Sequence, residues 1–314
     1  MRRVLCIGLF ALAMASAAPL QAQVPRPLAP MNPEKARVAP FFDGWYANPD
    51  GTVTLSFGFS NQFKRTVEIP IGPDNVVTPK EFDGRQPTVF PVPAPDSIGV
   101  GGATAGVASV QTGDAAAKKP APRPTITNNY ERERGAFTVT VPANYAGDVV
   151  WTLRYQGQVF SVPARAKAAA YQLSWPMAMG STPPLVRFAQ GGPSGRGPSG
   201  IQTPVQAKVG VPVPLRLVVH DDAVHEKEPV PVKRDLVPSM NITWFVHAGP
   251  VSSVTFAPAR TSVKESQGTV ETTATFSTPG EYTVRARVDT FGNIDSASAD
   301  QCCWTNAYWK VTVR

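Results

Sequence analysis

The sequence is short of charge, histidine and cysteine, and each shortage argues against a class of function. Charged residues make up 17% of the 314 residues, below the roughly 25% of ordinary soluble domains. The lysines and arginines form no stripe with interleaved aromatics, which argues against nucleic-acid binding. Those on strands, such as Arg285 and Arg287, are interpreted as facing solvent. The sequence contains no Gly-x-Ser-x-Gly, Gly-Lys-Ser/Thr or Cys-x-x-Cys motif.

Long apolar runs are also lacking, except at the start, where the pattern is that of a secretory signal. Arg2 and Arg3 precede an apolar run from residue 4 to 15 that is too short for a membrane anchor. Cleavage after Ala17 or Ala22 would lower the formal net charge from +7 to +5 (7 − 2), because both arginines leave with the signal. We predict an exported protein, periplasmic or extracellular, with no membrane span after cleavage.

Proline is abundant, and apolar residues alternate with polar ones. The 33 prolines are about double the usual share, and long helices tolerate few of them. After an Asn-Pro-Asp-Gly turn at residues 48–51, apolar side chains recur at period two, so that Val53, Leu55 and Phe57 would face a core. Similar short stretches recur along the chain. We predict an all-β protein with two antiparallel β-sandwich domains, the C-terminal one immunoglobulin-like.

Shifts in composition predict the domain boundaries. From about residue 91 to 127, Pro, Ala, Gly and Ser dominate, and such a segment buries too little apolar surface to order itself. Strands of the same style resume near Gly135, so this segment is interpreted as an insertion across which early and late strands pair. The Gly/Ser run 191–200 is interpreted as part of a flexible linker. The predicted order is a signal peptide (1–22), a Pro-rich lead-in (23–40), an N-terminal β-sandwich domain (41–175) containing the disordered insertion (91–127), a linker (176–204) and an immunoglobulin-like domain (205–314).

The C-terminal third resembles PKD-type and related immunoglobulin-like repeats. The resemblance rests on Trp244 in one strand, the Gly249-Pro250 turn after it, and the Thr-Pro-Gly-Glu-Tyr sequence at 278–282 before a late strand. It covers roughly residues 205–314. The Gly-Asp-Gly turn that often follows the tryptophan strand in these repeats is absent, so the resemblance concerns architecture. It implies an extracellular spacer, or an adhesive or ligand-binding module.

The mature chain as a whole also resembles a group of uncharacterised secreted bacterial proteins. The residues that carry this resemblance are Phe-Asp-Gly-Trp at 42–45, Ile-Pro-Ile-Gly-Pro-Asp-Asn at 69–75 and Cys-Cys-Trp-Thr-Asn at 302–306. The resemblance spans most of the mature chain. It brings no activity with it.

One loop groups side chains that could bind a transition metal. His220, Asp222 and His225 lie close together after a strand, and imidazole and carboxylate groups are suitable ligands. No His-Glu-x-x-His helix is present, and prolines at 229 and 231 make the segment a loop. A solvated polar loop is the preferred interpretation, and the three residues stay as candidates only.

A second loop could bind calcium through oxygen ligands. Asp289, Asn293 and Asp295 lie within a few residues of one another, and carboxylate and amide oxygens suit Ca²⁺. Their spacing does not match an EF-hand, and such residues are common in ordinary loops. We therefore predict neither a metal nor another cofactor.

Cys302 and Cys303 are the only cysteines of the predicted mature chain. An oxidising compartment favours a disulfide, but adjacent cysteines can bond only as a strained ring. On a strand their side chains would also point to opposite faces. We predict either a vicinal disulfide or two buried thiols beside Trp304, and an intermolecular bridge or a thiol pair for a soft metal is an alternative.

Several tryptophans could offer a stacking surface for a sugar or another partner. Trp151 and Trp244 lie in apolar strands and are assigned to the core. Trp45, Trp304 and Trp309 are the candidates for exposed contacts, although packing in a core or interface is the competing interpretation.

Together these patterns predict a protein that is not an enzyme. The leading hypothesis is an exported binding, adhesive or structural β-sandwich protein with a protein or glycan partner. The alternative is the accessory β-region of a secreted hydrolase, possibly one that acts on carbohydrate.

Overall fold

The computed structural model describes residues 36–92, 132–173, 182–224, 240–290 and 303–314. The predicted signal peptide, most of the predicted insertion and the candidate residues His225, Asn293, Asp295 and Cys302 lie outside these ranges. The described residues form eighteen β-strands, and their only helical elements are short 3-10 turns at Lys80–Phe82, Ala169–Tyr171 and Val251–Ser253. The prediction of an all-β fold is confirmed.

The first eight strands build the N-terminal sandwich, which is described in residues 36–92 and 132–173. The strands are β1 (Val38–Ala47), β2 (Val53–Asn61), β3 (Val67–Glu68), β4 (Asn75–Thr78), β5 (Val89–Phe90), β6 (Arg132–Val141), β7 (Asp148–Tyr155) and β8 (Gln158–Arg165). They form three antiparallel sheets with the orders β1-β2-β6, β4-β7-β8 and β3-β5. Strands β2 and β4 therefore pair with β6 and β7, as predicted for strands on either side of the insertion.

Aromatic rings form the centre of the N-terminal core. Phe57 stacks on Phe137 with 4.9 Å between ring centroids, and Trp151 meets Phe137 edge-on, also at 4.9 Å. The indole Nε1 of Trp151 donates to Asn75 Oδ1 at 3.0 Å. The alternation that placed Phe57 in a core, and the assignment of Trp151 to it, are confirmed.

The remaining ten strands build the C-terminal sandwich, which is described in residues 182–224, 240–290 and 303–314. The strands are β9 (Leu185–Phe188), β10 (Ser194–Gly195), β11 (Ile201–Ala207), β12 (Val213–His220), β13 (Met240–Ala248), β14 (Val254–Ala257), β15 (Arg260–Val263), β16 (Gln267–Phe276), β17 (Gly280–Asp289) and β18 (Trp304–Val313). They form two five-stranded sheets, β10-β9-β12-β16-β14 and β11-β18-β17-β13-β15, which contribute to one apolar core. All neighbouring strands are antiparallel except β11 and β18, which run parallel.

Two features of the C-terminal sandwich are typical of immunoglobulin-like domains. Trp244 of β13 is buried in the core, and its ring centroid lies 5.2 Å from that of Trp309 on β18. At the start of β17, the Tyr282 hydroxyl donates to the Thr278 carbonyl oxygen at 2.9 Å. This bond back to a residue just upstream is the geometry of a tyrosine corner.

The predicted flexible linker is wrong in the part that the structure describes. Residues 182–204 contain β9, β10 and the first residues of β11, and all three strands belong to the sheets of the C-terminal sandwich. At Gly200, with φ +67°, an added Cβ would lie 2.2 Å from the Asn306 carbonyl oxygen. Glycine is therefore used here for close packing against β18 rather than for mobility. The division into two domains stays a prediction, since the described residues all fall in one unit.

Candidate functional site at the junction of the two sandwiches

The two sandwiches meet through a largely buried network of charged and polar side chains. We call it the polar junction, and its members are Glu133, Arg285, Arg287, Asp289 and Asn306. Glu133 Oε1 accepts from Arg285 Nη2 at 2.6 Å and from Arg287 Nη1 at 2.9 Å. The Nε of Arg287 donates to Asp289 Oδ2 at 2.9 Å. The side chains of Arg285 and Glu133 are only 3% and 5% exposed. The side chains of Arg287 and Asp289 are each 15% exposed, so the two carboxylates and two guanidinium groups balance one another at the edge of the buried contact as well as inside it.

The alternation of β17 explains why these charges face the junction. Neighbouring side chains on a strand point to opposite faces, and Val284, Ala286 and Val288 occupy the apolar core. Arg285 and Arg287 consequently lie on the outer face of the sheet, where β6 of the N-terminal sandwich covers them. The prediction that these two arginines face solvent is wrong for Arg285, which is 2% exposed.

Gly135 provides the backbone contact at the centre of the junction. Its carbonyl oxygen accepts from Arg285 Nη1 at 2.7 Å and from Asn306 Nδ2 at 2.8 Å, and its amide donates to Asp43 Oδ2 at 2.9 Å. It has φ +58°, and an added Cβ would lie 1.9 Å from Trp304 Nε1. Both the backbone conformation and the indole therefore require glycine at this position.

His247 makes a further contact between the sandwiches, beside the polar junction. Its ring Nε2 lies 3.1 Å from the Arg85 carbonyl oxygen, and its own carbonyl accepts from the Thr88 amide at 2.9 Å. The ring meets Tyr308 edge-on at 5.5 Å. Burial, followed by the positive charges of Arg285 and Lys310, lowers the pKa of His247 to about 3. The imidazole is therefore neutral at pH 7.

Burial also alters the ionisation of other side chains in this region. The pKa of Asp289 is raised mainly by burial, in spite of its ion pair with Arg287. Burial raises the pKa of the Tyr308 phenol to about 12. The Tyr308 phenol is therefore protonated and neutral at pH 7.

The candidate transition-metal residues are occupied by other contacts where the structure describes them. His220 ends β12 and is partly exposed. Asp222 accepts two hydrogen bonds from Arg196, at 2.8 and 2.6 Å, which lower the pKa of its carboxyl group. Across the described ranges, no three His, Cys, Asp or Glu side chains are grouped to hold a metal ion. His225 lies outside those ranges, so this candidate set stays a prediction.

Of the candidate calcium ligands, only Asp289 falls within the described residues. Its carboxylate is engaged by Arg287 in the polar junction. Asn293 and Asp295 lie outside, and the calcium set also stays a prediction.

The three tryptophans predicted to make exposed contacts are buried, and that prediction is wrong. Trp45, Trp304 and Trp309 are 9%, 2% and 2% exposed. Trp309 points into the C-terminal core, where its ring lies 5.2 Å from that of Phe188. Trp304 is on the opposite face of β18 but is covered by Gly135 of the N-terminal sandwich. Contact between the sandwiches, which strand periodicity does not reveal, buries this second face.

Cys303 is buried and disulfide-bonded. Its carbonyl oxygen accepts from the amide and the hydroxyl of Thr290, at 3.1 and 3.2 Å. Its bonding partner lies outside the described residues, so the vicinal pair with Cys302 stays a prediction. The disulfide directly precedes Trp304 and thus adjoins the junction.

The sequence analysis did not identify Glu133, Arg285 or Asn306 as site residues. A charged residue on an alternating strand looks the same whether its face meets water or another sandwich. The one local signal was Gly135 directly after the Arg-Glu-Arg run of residues 132–134. A glycine inside a strand often marks a close approach of another part of the chain.

Comparisons with known proteins give no family. No protein-family model matches the chain, and no curated protein matches it. Similar solved structures include the D0-D1 domain of intimin, with 11% identity over 88% of this chain and 97% of that one, at a TM-score of 0.23. A CARDB domain from Pyrococcus furiosus is similar with 13% identity over 42% of this chain and 96% of that chain, at a TM-score of 0.21. Domains 4 and 5 of the S-layer protein SbsC are similar with 11% identity over 55% of this chain and 69% of that chain, also at a TM-score of 0.21. At these TM-scores the likenesses carry no argument about function.

The fold and the site together define a class: an all-β protein whose two sandwiches are joined by a buried ionic contact. Within the described residues, no helix has the length and apolar character needed to cross a membrane.

Proposed function

We propose that this chain is an exported, non-catalytic β-sandwich protein that has a binding or structural role outside the cytoplasm. The observation that carries the proposal is the polar junction. Glu133 and Arg285 are buried together, and a buried ion pair holds only in a narrow geometry. The junction therefore presents the two sandwiches in one fixed arrangement, which suits a scaffold or a docking module.

The charged groups of the junction have structural partners rather than a substrate. Glu133 is shared by two arginines, and Asp289 binds one of them. A general acid or base must lie within reach of a substrate, and the side chain of Glu133 is only 5% exposed. The arrangement is therefore better suited to holding the sandwiches together than to proton transfer.

We propose a protein rather than a glycan as the partner. Sugar-binding platforms use exposed aromatic rings, and Trp45, Trp304 and Trp309 are buried. The mature chain, immobilised through its C-terminus, would be tested on a glycan array and against envelope fractions of the source organism. Saturable binding that is lost after protease treatment of the fraction, with no glycan hit, is expected. Binding that survives proteolysis and is competed by a glycan would contradict the proposal.

Export can be tested independently of partner binding. The full-length chain, expressed in a bacterial host, is expected to reach the periplasm or medium with a new N-terminus after Ala17 or Ala22. Fractionation followed by N-terminal sequencing provides the measurement. An unprocessed chain found only in the cytoplasm would contradict export.

We further propose that Cys302 is the partner of Cys303. The chain has three cysteines, and the third, Cys6, lies in the predicted signal. Intact-mass measurement of the mature monomer is expected to show a gain of two hydrogen atoms on reduction. An unchanged monomer mass would exclude the intrachain bond.

A further inference from the structure

His247 joins the two sandwiches by two hydrogen bonds from a single residue. Its backbone carbonyl accepts from the Thr88 amide at 2.9 Å, and its ring Nε2 lies 3.1 Å from the Arg85 carbonyl oxygen. Because a carbonyl oxygen can only accept, Nε2 carries the hydrogen and donates it. Arg85 and Thr88 belong to the loop that precedes β5, so His247 fastens this loop to β13 of the other sandwich.

The environment of the His247 ring disfavours the binding of a second proton. His247 is 7% exposed. The titratable or charged groups that face it are Arg285 from β17 and Lys310 and Tyr308 from β18. On the loop side it meets the backbone of Arg85. The two carboxylates of the polar junction already bind arginine: Glu133 binds Arg285 and Arg287, and Asp289 binds Arg287. An imidazolium would therefore add positive charge where two cations already act on the ring.

We infer that His247 forms an acid-sensitive contact between the sandwiches. It holds residues 85–88 of the N-terminal sandwich against the C-terminal sandwich and releases them when its ring is protonated. Once the loop has moved away, water can solvate the imidazolium and its repulsion from Arg285 and Lys310 falls. This device goes beyond the proposed partner binding, since it concerns how the contact between the two sandwiches responds to acid.

The sign of the pH dependence follows from the two ionisation states. In the closed contact the pKa of His247 is about 3, whereas an exposed histidine has a pKa of about 6.5. The opened state therefore binds more protons below pH 6.5. The closed contact is at full strength above pH 6.5 and weakens as the pH falls towards 3, by up to about tenfold in its equilibrium constant per pH unit.

Amide hydrogen exchange in the full mature chain tests the inference at a single bond. The Thr88 amide reports the contact, because it donates to His247 itself. Its protection, corrected for the intrinsic exchange rate, is expected to fall by up to about tenfold per unit between pH 6.5 and 4.5. The amides of Leu173 and Trp244, bonded to Trp45 and Ala259 within their own sandwiches, are expected to stay constant.

A matched pair of variants separates His247 from other acid effects. His247→Gln keeps an N–H donor that does not titrate, so the pH dependence of Thr88 protection is expected to disappear. His220→Gln changes a histidine at the end of β12 that has partial exposure, and the pH dependence is expected to persist. Three results would each overturn the inference. They are constant Thr88 protection in the wild type, a parallel loss of protection at all three amides, and an unchanged pH dependence of Thr88 protection in His247→Gln. If His247→Gln does not fold, the three wild-type amides still decide it.

Discussion

The two faces of strand β17 are both buried, but they are stabilised in different ways. On one face, Val284 and Ala286 lie in the apolar core of the C-terminal sandwich with Trp309. On the other face, Arg285 and its neighbour Arg287 bind Glu133 of the other sandwich. Apolar packing is non-directional and scales with the area removed from water. The ionic face is directional, because each charge must meet its partner to offset the loss of hydration.

This difference separates stability from orientation. The apolar face contributes to stability through the packing of its side chains, and it tolerates apolar substitutions that conserve their total volume. Hydrogen bonding on the ionic face is incomplete, because Arg285 Nε and Trp304 Nε1 are buried without a hydrogen-bond partner in the described part of the chain. We therefore expect the polar junction to add little net stability when intact and to cost much when one member is removed. Its role is to fix how the sandwiches sit, as proposed above.

The largest effect is expected from Gly135→Ala, which brings a methyl group into the junction. The position has φ +58°, and the new Cβ would lie 1.9 Å from Trp304 Nε1. Backbone strain of about 1–2 kcal/mol and overpacking of about 1–3 kcal/mol act together. A loss of about 2–5 kcal/mol in the free energy of unfolding is expected from the two effects together, measured by urea denaturation.

Gly157→Ala is the matched control for this substitution. Gly157, in the β7–β8 turn, has φ +76° with nothing within 4 Å of an added Cβ. It should show only the backbone strain, about 1–2 kcal/mol. Equal losses at Gly135 and Gly157 would mean that the close approach to Trp304 has no energetic consequence, and the junction would then be loosely packed.

An intermediate effect is expected from Arg285→Met, which removes one member of the buried network. Glu133 keeps its contact with Arg287, so the expected loss is about 2–3 kcal/mol, at or below the roughly 3–5 kcal/mol that a fully broken buried pair costs. Urea denaturation at two salt concentrations provides the measurement. Because the pair is shielded from solvent, the loss should depend little on salt.

Arg216→Met provides the exposed counterpart on the same sandwich. Arg216 of β12 forms an ion pair with Glu271 of β16, and both side chains are more than 40% exposed. Such a surface pair contributes about 0–1 kcal/mol and is screened by salt. A loss at Arg285 no larger than that at Arg216 would show that the junction opens to water, and the distinction between the two faces of β17 would fail.

Sequence patterns predicted the apolar side of this comparison and missed the ionic side. The alternation of Val53, Leu55 and Phe57 correctly placed them in a core, since burial of one sheet face leaves a period of two. However, the polar residues between them, Thr54 and Ser56, are 1% and 0% exposed. Small polar residues look alike on a solvated face and on a buried, hydrogen-bonded one, so the pattern could not show that both faces of β2 are covered.

The junction could not be predicted for a related reason. Glu133 and Arg285 are 152 positions apart in the chain, and no local rule joins them. Trp304 and Trp309 share one strand, but their burial has two causes: the core for Trp309 and the other sandwich for Trp304. The Gly/Ser run 191–200 was misinterpreted because glycines needed for close packing have the same composition as glycines of a mobile linker.

The smallest effect is expected from Tyr282→Phe, which tests a neutral directional bond at the edge of the apolar face. The hydroxyl donates to the Thr278 carbonyl at 2.9 Å and lies 2.8 Å from Thr278 Oγ1, while the ring packs on Phe276. Phenylalanine keeps the ring, so only the hydrogen bond is lost, at about 1 kcal/mol. Tyr155→Phe, which removes an exposed bond from Arg65, should cost less. Since the Tyr282 side chain lies in the apolar core, on the face of β17 opposite Arg285, Thr88 amide protection at pH 6.5 should not change beyond the shift in global stability. A selective loss at Thr88 would show that the tyrosine corner and the junction are coupled, and that the two faces of β17 do not act independently.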